Sequence, residues 1–283
     1  MNDDRAAEVR AATLDDVGGI AVVRLSNGPA HADSGANPDY CRHLIEHEHL
    51  WVALDDGGAV VGFAGAVDTG GARLLSDLFV HADAHGRGVG SGLLGAVLDG
   101  ATERYTFATT DPAALPLYMR AGMRTRWTLL EMSGPATAFD TVSTAGLTVE
   151  RASVDSATAV ERELTGLDRS SAHGYWASRP GAETVIVTSA AGPVGVAALA
   201  HEEHGGAVRI DHAATVGVPV PAVLAAVVHA VGARSVHAYV PGSTECAAWL
   251  LAHRFVVDDI SLHMATDDAE IDPALAIVHP GLG

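Results

Sequence analysis

Four glycines at alternate positions carry the chemistry of this chain: Val80-His81-Ala82-Asp83-Ala84-His85-Gly86-Arg87-Gly88-Val89-Gly90-Ser91-Gly92-Leu93-Leu94 runs from an apolar strand, through a turn, into a helix. Such glycines let consecutive backbone N–H groups face one oxyanion, and the unpaired amides and positive dipole end of the new helix favour negative charge. The predicted ligand therefore carries a phosphate or diphosphate. The chain contains no lysine, which excludes a P-loop. Gly90-Ser91-Gly92-Leu93-Leu94-Gly95 spells the dinucleotide pattern, but it lies past the strand-to-helix turn where that pattern has meaning.

A second segment follows one strand later. Asp111-Pro112-Ala113-Ala114-Leu115-Pro116-Leu117-Tyr118-Met119-Arg120-Ala121-Gly122-Met123 predicts a short helix with Asp111 as N-cap, Pro112 at the first helical position and Gly122 as the stop. Residues 85–90 resemble the acyl-CoA loop of the GNAT acetyltransferase superfamily, whose pattern is Gln or Arg, two residues, Gly, one residue, and Gly or Ala. Gly88 and Gly90 fit, while His85 departs from the usual first residue. Tyr118 with the glycine after it resembles the family's second motif, and the two motifs stand in the family's order.

The resemblance implies an α+β fold, acetyl-CoA as co-substrate, no metal, and a small-molecule amine as acceptor. It places the backbone of Leu78, Phe79 and Val80, on a bulged strand splayed from its neighbour, against the pantetheine arm and the thioester oxygen. It assigns His85, Gly86, Arg87, Gly88, Val89, Gly90 and Ser91 to the pyrophosphate, and Asp111, Ala114, Leu117 and Tyr118 to the rest of the cofactor. It also puts His31, Asp33, Tyr40 and Cys41 beside the acceptor cleft.

Direct transfer from a thioester to an amine needs an unprotonated nucleophile, a polarised carbonyl and a proton for the departing thiolate. Tyr118 is the candidate acid, because a phenol with an ordinary pKa near 10 is protonated at neutral pH; its alternative is a packed core tyrosine. Asp77 is an ionisable group within an apolar strand, and such a carboxylate is solvated, paired or functional. It is a candidate base against a hydrogen-bonded aspartate or a water chain. Arg87 reads equally as a phosphate partner and as loop surface. His43-Leu44-Ile45-Glu46-His47 matches an inverted zinc-peptidase motif without the rest of that fold, in a chain of 15 histidines. A CoA-binding sensor without turnover is the reading from a different functional class.

These residues need elements to hold them. Alternation and periodicity predict a strand at 8–11, helices at 14–25 and 40–46, strands at 50–54, 60–67 and 73–80, a helix after the cradle, and strands at 104–109 and 127–132. The second half then reads as a worn copy. An offset of 132 carries His85 to Gly217, Tyr118 to Leu250 and Gly122-Met123 to Arg254-Phe255, and sets Arg209-Ile210-Asp211-His212 against Asp77-Leu78-Phe79-Val80. Gly217-Val218-Pro219-Val220-Pro221 replaces the cradle with two prolines, each lacking an N–H. We expect two tandem GNAT-like domains, each a mostly antiparallel twisted sheet flanked by helices: residues 1–133 as the CoA-binding domain, a polar linker at 134–146, a degenerate domain at 147–268 and a tail at 269–283.

Composition agrees with this reading. An apolar content of 48% supports sizeable cores, and 283 residues suit two domains. A net charge of −18, with all 17 cations arginine, argues against nucleic-acid and membrane partners. Two cysteines make neither a disulfide framework nor a zinc pattern. A soluble cytoplasmic protein is expected; oligomeric state and acyl length are not readable.

Overall fold

Short apolar strands alternating with capped helices give two compact units in the computed structural model, which describes residues 7–28, 37–202, 206–266 and 275–282. The first unit comprises residues 1–106, 112–124 and 265–269. Its elements are β1 (Glu8–Ala11), α1 (Val17–Ser26), α2 (Pro38–His47), β2 (His49–Leu54), β3 (Val60–Thr69), β4 (Ala72–Val80), α3 (Val89–Val97), the start of β5 (Glu103–Ala108) and α4 (Leu115–Arg120). The strands lie in sequence order, antiparallel from β1 to β4, with β5 parallel to β4. Ile20, Val23, Leu44, Phe63, Leu74, Leu75 and Leu93, all buried, fill its core.

The second unit comprises residues 107–111, 125–264 and 270–283. It contains β6 (Arg124–Pro135), β7 (Thr148–Arg151), α5 (Val154–Thr165), α6 (Ser170–Ser178), β8 (Ala182–Ser189), β9 (Gly192–His201), β10 (Ala207–Thr215), α7 (Val220–Val231), β11 (Ser235–Pro241), α8 (Glu245–Ala252), β12 (Val256–Ala265) and β13 (Leu275–Ile277). Its strand order is β7-β8-β9-β10-β11-β6-β12, with β13 on β10. From β7 to β12 the strands and α-helices repeat those from β1 to β6 one for one, and β13 is an addition. The fold is thus a mixed α+β tandem, mostly antiparallel, with helices flanking the strands of each unit.

The duplication is visible in detail at the helix ends. Gly122 adopts φ +90° after α4, and Met123 N–H returns 3.2 Å to Tyr118 O while Gly122 N–H reaches Met119 O, a Schellman motif. In the second unit Arg254 takes the same left-handed place at φ +72°, and Phe255 N–H bonds Leu250 O at 3.1 Å. The offset of 132 holds there. It fails by three residues in β4 and β10, where β10 begins 135 residues after β4 and the bulges make His212, not Arg209, the counterpart of Asp77.

Three expectations differ from the structure. Residues 134–146 are not a polar linker: β6 runs to Pro135, a 3-10 turn covers Ala136–Phe139, and Phe139 is fully buried in the second unit's core. Strand β6 itself pairs with β11 and lies in the second unit, whereas the sequence placed it in the first. Leu275, Ala276 and Ile277 of the expected tail are buried through β13. Among the described residues, no helix is long and apolar enough to cross a membrane.

Candidate functional site

The glycine turn forms as its composition requires. Gly86 (φ +76°) and Gly88 (φ +79°) take left-handed conformations that a side chain would resist, and Gly88 is the N-cap of α3. Gly92 N–H is the first to bond within the helix, to Gly88 O at 3.0 Å. The N–H groups of Val89, Gly90 and Ser91 therefore have no intrahelical acceptor and point out of the helix start. With the dipole behind them they form an anion site. Arg87 stands exposed beside this turn.

Close packing fixes α3 over the sheet. A Cβ at Gly62 of β3 would lie 2.9 Å from Leu93 Cδ1 and 3.0 Å from Val89 Cγ1, so the helix sits where only glycine leaves room. At the far end, Arg73 Nη1 donates to Val97 O at 3.2 Å, placing a cation at the helix C-terminus. The His85 ring nitrogen Nε2 lies 2.9 Å from Val80 O, and Asn27 Nδ2 donates to the same carbonyl at 3.1 Å. His85 therefore braces the end of β4 through its side chain.

Strand β4 is bulged and splayed. Gly65 faces Asp77 while the next residue, Ala66, faces Leu75, leaving Ser76 as the extra residue. Parallel pairing with β5 ends at Leu75 and Thr106, where Thr106 Oγ1 caps Leu75 O at 2.9 Å. Beyond that point β4 has a backbone edge unpaired by β5. His81 N–H bonds Val61 O at 2.8 Å, and alternation along the antiparallel pair then turns the backbone groups of Phe79 and Asp77 toward β3 and those of Leu78 and Val80 toward the open edge. The expected backbone trio thus divides: Phe79 is committed to the sheet, Val80 O is already taken, and Leu78 N–H and C=O with Val80 N–H remain on the edge.

Tyr118 is buried on α4. The helix begins at Leu115 with Ala114 as an uncapped N-cap, not at Pro112. Pro116 explains the difference: at the second position its missing N–H costs nothing, whereas a start at Pro112 would put it at the fifth, where an intrahelical bond is due. Asp111 is exposed ahead of this turn and falls in the second unit. Leu117 packs toward the cradle, 3.5 Å from a Cβ placed on Gly90. Between α3 and α4 lies a cavity of about 480 Å³ lined by Ser91, Leu94, Leu98, Arg104, Leu117 and Arg120. Arg104 and Arg120 bring two cations to this lining and Asp99 one carboxylate, and no motif in the sequence points to them.

Asp77 is 8% exposed and fully engaged. Oδ1 accepts from Arg24 Nη2 at 2.6 Å, and Oδ2 accepts from Tyr40 Oη at 3.1 Å and Ser76 Oγ at 3.0 Å. A buried guanidinium and two hydroxyls thus take three of the carboxylate's four acceptor sites and tie it to α1, α2 and the neighbouring residue of its own strand. Arg24, 2% exposed, lies with its guanidinium carbon 4.7 Å from the Phe79 ring centroid and 5.2 Å from that of Phe63. Nothing local in the sequence pointed to Arg24; its partner lies 53 residues away.

Of the residues expected at the acceptor cleft, His31 and Asp33 lie outside the described residues. Tyr40 and Cys41 are buried on α2. Burial, then the Asp77 charge, pushes the Tyr40 phenol well above its ordinary pKa, so it serves as a donor. The same causes push the Cys41 thiol to about 11, which leaves it a poor nucleophile at neutral pH. Burial, then His47, lowers His43 to about 4. Among the described residues, no group of three or more His, Cys, Asp or Glu side chains is arranged to hold a metal.

Residues 46–124 match the family model of the acetyltransferase (GNAT) domain. No curated protein matches the chain. Among solved structures, a candidate acetyltransferase from Pyrococcus horikoshii superposes with a TM-score of 0.74 at 14% identity, over 99% of this chain and 96% of its own. A GCN5-related N-acetyltransferase from Kribbella flavida gives 0.62 at 18% identity, over 91% and 71%. A tandem GNAT protein from the clavulanic acid biosynthesis pathway gives 0.60 at 13% identity, over 94% and 99%. At these identities the superpositions speak for the fold.

Proposed function

We propose that this chain, whose residues 46–124 match the acetyltransferase (GNAT) domain model, transfers an acetyl group from acetyl-CoA to the primary amine of a small molecule, by direct attack in a ternary complex. The observation that carries this reading is the junction of two devices on one strand: the open backbone edge at Leu78 and, eleven residues on, the exposed amides that begin α3. The pyrophosphate of acetyl-CoA would rest on the N–H groups of Val89, Gly90 and Ser91. Its nucleotide end would occupy the cavity with Arg104 and Arg120, where the cations suit a phosphate. The pantetheine amides would extend the sheet along β4, and Leu78 N–H would polarise the thioester carbonyl.

Tyr118 is assigned as the general acid that protonates the departing thiolate. With Asp77 tied to Arg24, no base is assigned to it; the acceptor amine would lose its proton to solvent water. In the second unit Pro219 is the N-cap of α7 and Pro221 lies in its first turn, so two donors of the equivalent cradle are missing and a CoA site is assigned only to the first unit.

The test is acceptor-dependent thiol release from acetyl-CoA across a panel of amino sugars, amino acids and polyamines, beside calorimetric titration with CoA. Binding together with release for at least one amine supports the reading. Binding with no release for any amine would convert the protein to a CoA-binding sensor, and no binding removes both readings.

A further inference from the structure

We propose that Arg24 is a positioning residue that pins the bulge of β4, and through it the direction of the Leu78 N–H; this rests on the transfer reading above. Asp77 is the first residue after the bulge, and its three donors come from three places: Arg24 on α1, Tyr40 on α2 and Ser76 in the bulge itself. A bulge is a local slip in register that would otherwise be free to migrate by a residue and flip the edge groups. Gly65, opposite Asp77, leaves the bulge no slack, since a Cβ there would lie 2.8 Å from Ser76 Oγ and 2.9 Å from Leu44 Cδ1.

The second unit supplies an independent observation. Its β10 is bulged at Asp211, making His212 the counterpart of Asp77. Glu161, the eighth residue of α5 as Arg24 is of α1, accepts from His212 Nε2 at 2.8 Å and from His173 Nε2 of α6 at 2.6 Å. Both units therefore tie the residue after the bulge to the first helix, and a residue of the second helix joins each tie. The polarity is reversed between them: cation on the helix and carboxylate on the strand in one, carboxylate on the helix and imidazole on the strand in the other. Two chemically different side-chain sets, a guanidinium–carboxylate pair in one unit and a carboxylate–imidazole pair joined by Arg169 at 3.2 Å in the other, make the same connection, which indicates that the connection is what the fold uses. Glu161, His173 and His212 are all fully buried.

Asp77→Asn and Arg24→Gln are compared singly with the double graft Arg24→Glu/Asp77→His, which installs the second unit's pair. Hydrogen exchange reads the amides of Asp77 and Phe79, which pair with β3; calorimetry reads CoA binding; and initial rates with the best amine give kcat and KM. Each single change is expected to speed exchange at these amides at least tenfold and to lower kcat at least tenfold, with a smaller loss of CoA affinity because the pyrophosphate cradle at the start of α3 is left intact. The graft is expected to recover most of both losses. Unchanged exchange in soluble, folded single variants overturns the pinning. Lost kcat with unchanged exchange and a lost acidic limb in the pH profile would make Asp77 a base instead. If the parent binds no CoA or releases no thiol, the transfer reading fails, and the exchange data still decide whether Arg24 pins the bulge.

Discussion

Replacing Gly90 by proline asks whether the first-turn amides of α3 hold the ligand. Gly90 is the second residue of the helix, where an N–H has no intrahelical partner and proline's fixed φ is suitable, and the second unit already carries Pro221 at the same position of α7. A side chain fits, because a Cβ would meet only Leu117 at 3.5 Å and Val80 at 3.6 Å. The change therefore removes one donor while sparing the fold. A hydrogen bond to a charged group contributes about 1.5–3 kcal/mol, and about 1.4 kcal/mol is a factor of ten, so CoA should bind roughly 10- to 100-fold more weakly. Gly90→Ala keeps the N–H and should bind as the parent does, which separates the donor from the side chain. Isothermal calorimetry with CoA measures the affinities, and thermal melts should move by no more than about 3 °C. Equal CoA affinity in the parent and a folded Gly90→Pro variant would refute the cradle.

Three further outcomes are expected. Tyr118→Phe should lower kcat by roughly 10²- to 10⁴-fold, the usual contribution of a positioned acid, with CoA affinity unchanged; steady-state kinetics on the best amine decide it. Arg254→Gly should raise stability by about 1 kcal/mol by relieving a left-handed φ of +72°, measured by urea unfolding. Stability should fall as pH drops from 6.5 toward 4. His43 is held at about 4 in the fold, against about 6.5 when unfolded, so the unfolded chain binds more protons across that window and the cost reaches about 2 kcal/mol by pH 5. His43→Gln should flatten that slope in pH-dependent denaturation, and an unaltered slope would count against the assignment.

The parts of the site legible in the sequence are those set by neighbours along the chain. Gly88 before Val89 and Gly122 after Arg120 are local demands of helix ends, and both sit where their patterns put them. The repeat was legible for the same reason, since Leu250 and Phe255 preserve the contacts of a helix stop after its glycine has become Arg254. The start of α4 was misread because Asp111-Pro112 is a good helix signal that Pro116 overrides four residues later. Asp77 was recognisable as unusual, but its meaning lies in Arg24 and Tyr40, brought to it from 53 and 37 positions away. Burial of Phe139 was hidden by the polar, glycine- and proline-bearing residues around it, and that of Ile277 by the shortness of its apolar run, Ala274 to Val278. The bulge leaves no compositional mark on β4, so the three-residue slip in the repeat was invisible until the strands were paired.

The assignment of Ala265 and Thr266 to the first unit has a consequence for how the protein is made. Thr266 N–H bonds Arg104 O at 2.9 Å, and Arg104 N–H bonds Thr266 Oγ1 at 3.1 Å, so the first unit is completed by a residue 162 positions downstream of Arg104. Meanwhile β6, synthesised before the second half, pairs with β11. A nascent chain released after residue 133 would hold an unpartnered strand and an unfinished first unit. Residues as far along as Thr266 must leave the ribosome before the first unit can close, and gene fragments cut at the duplication boundary should yield aggregates rather than two independent proteins.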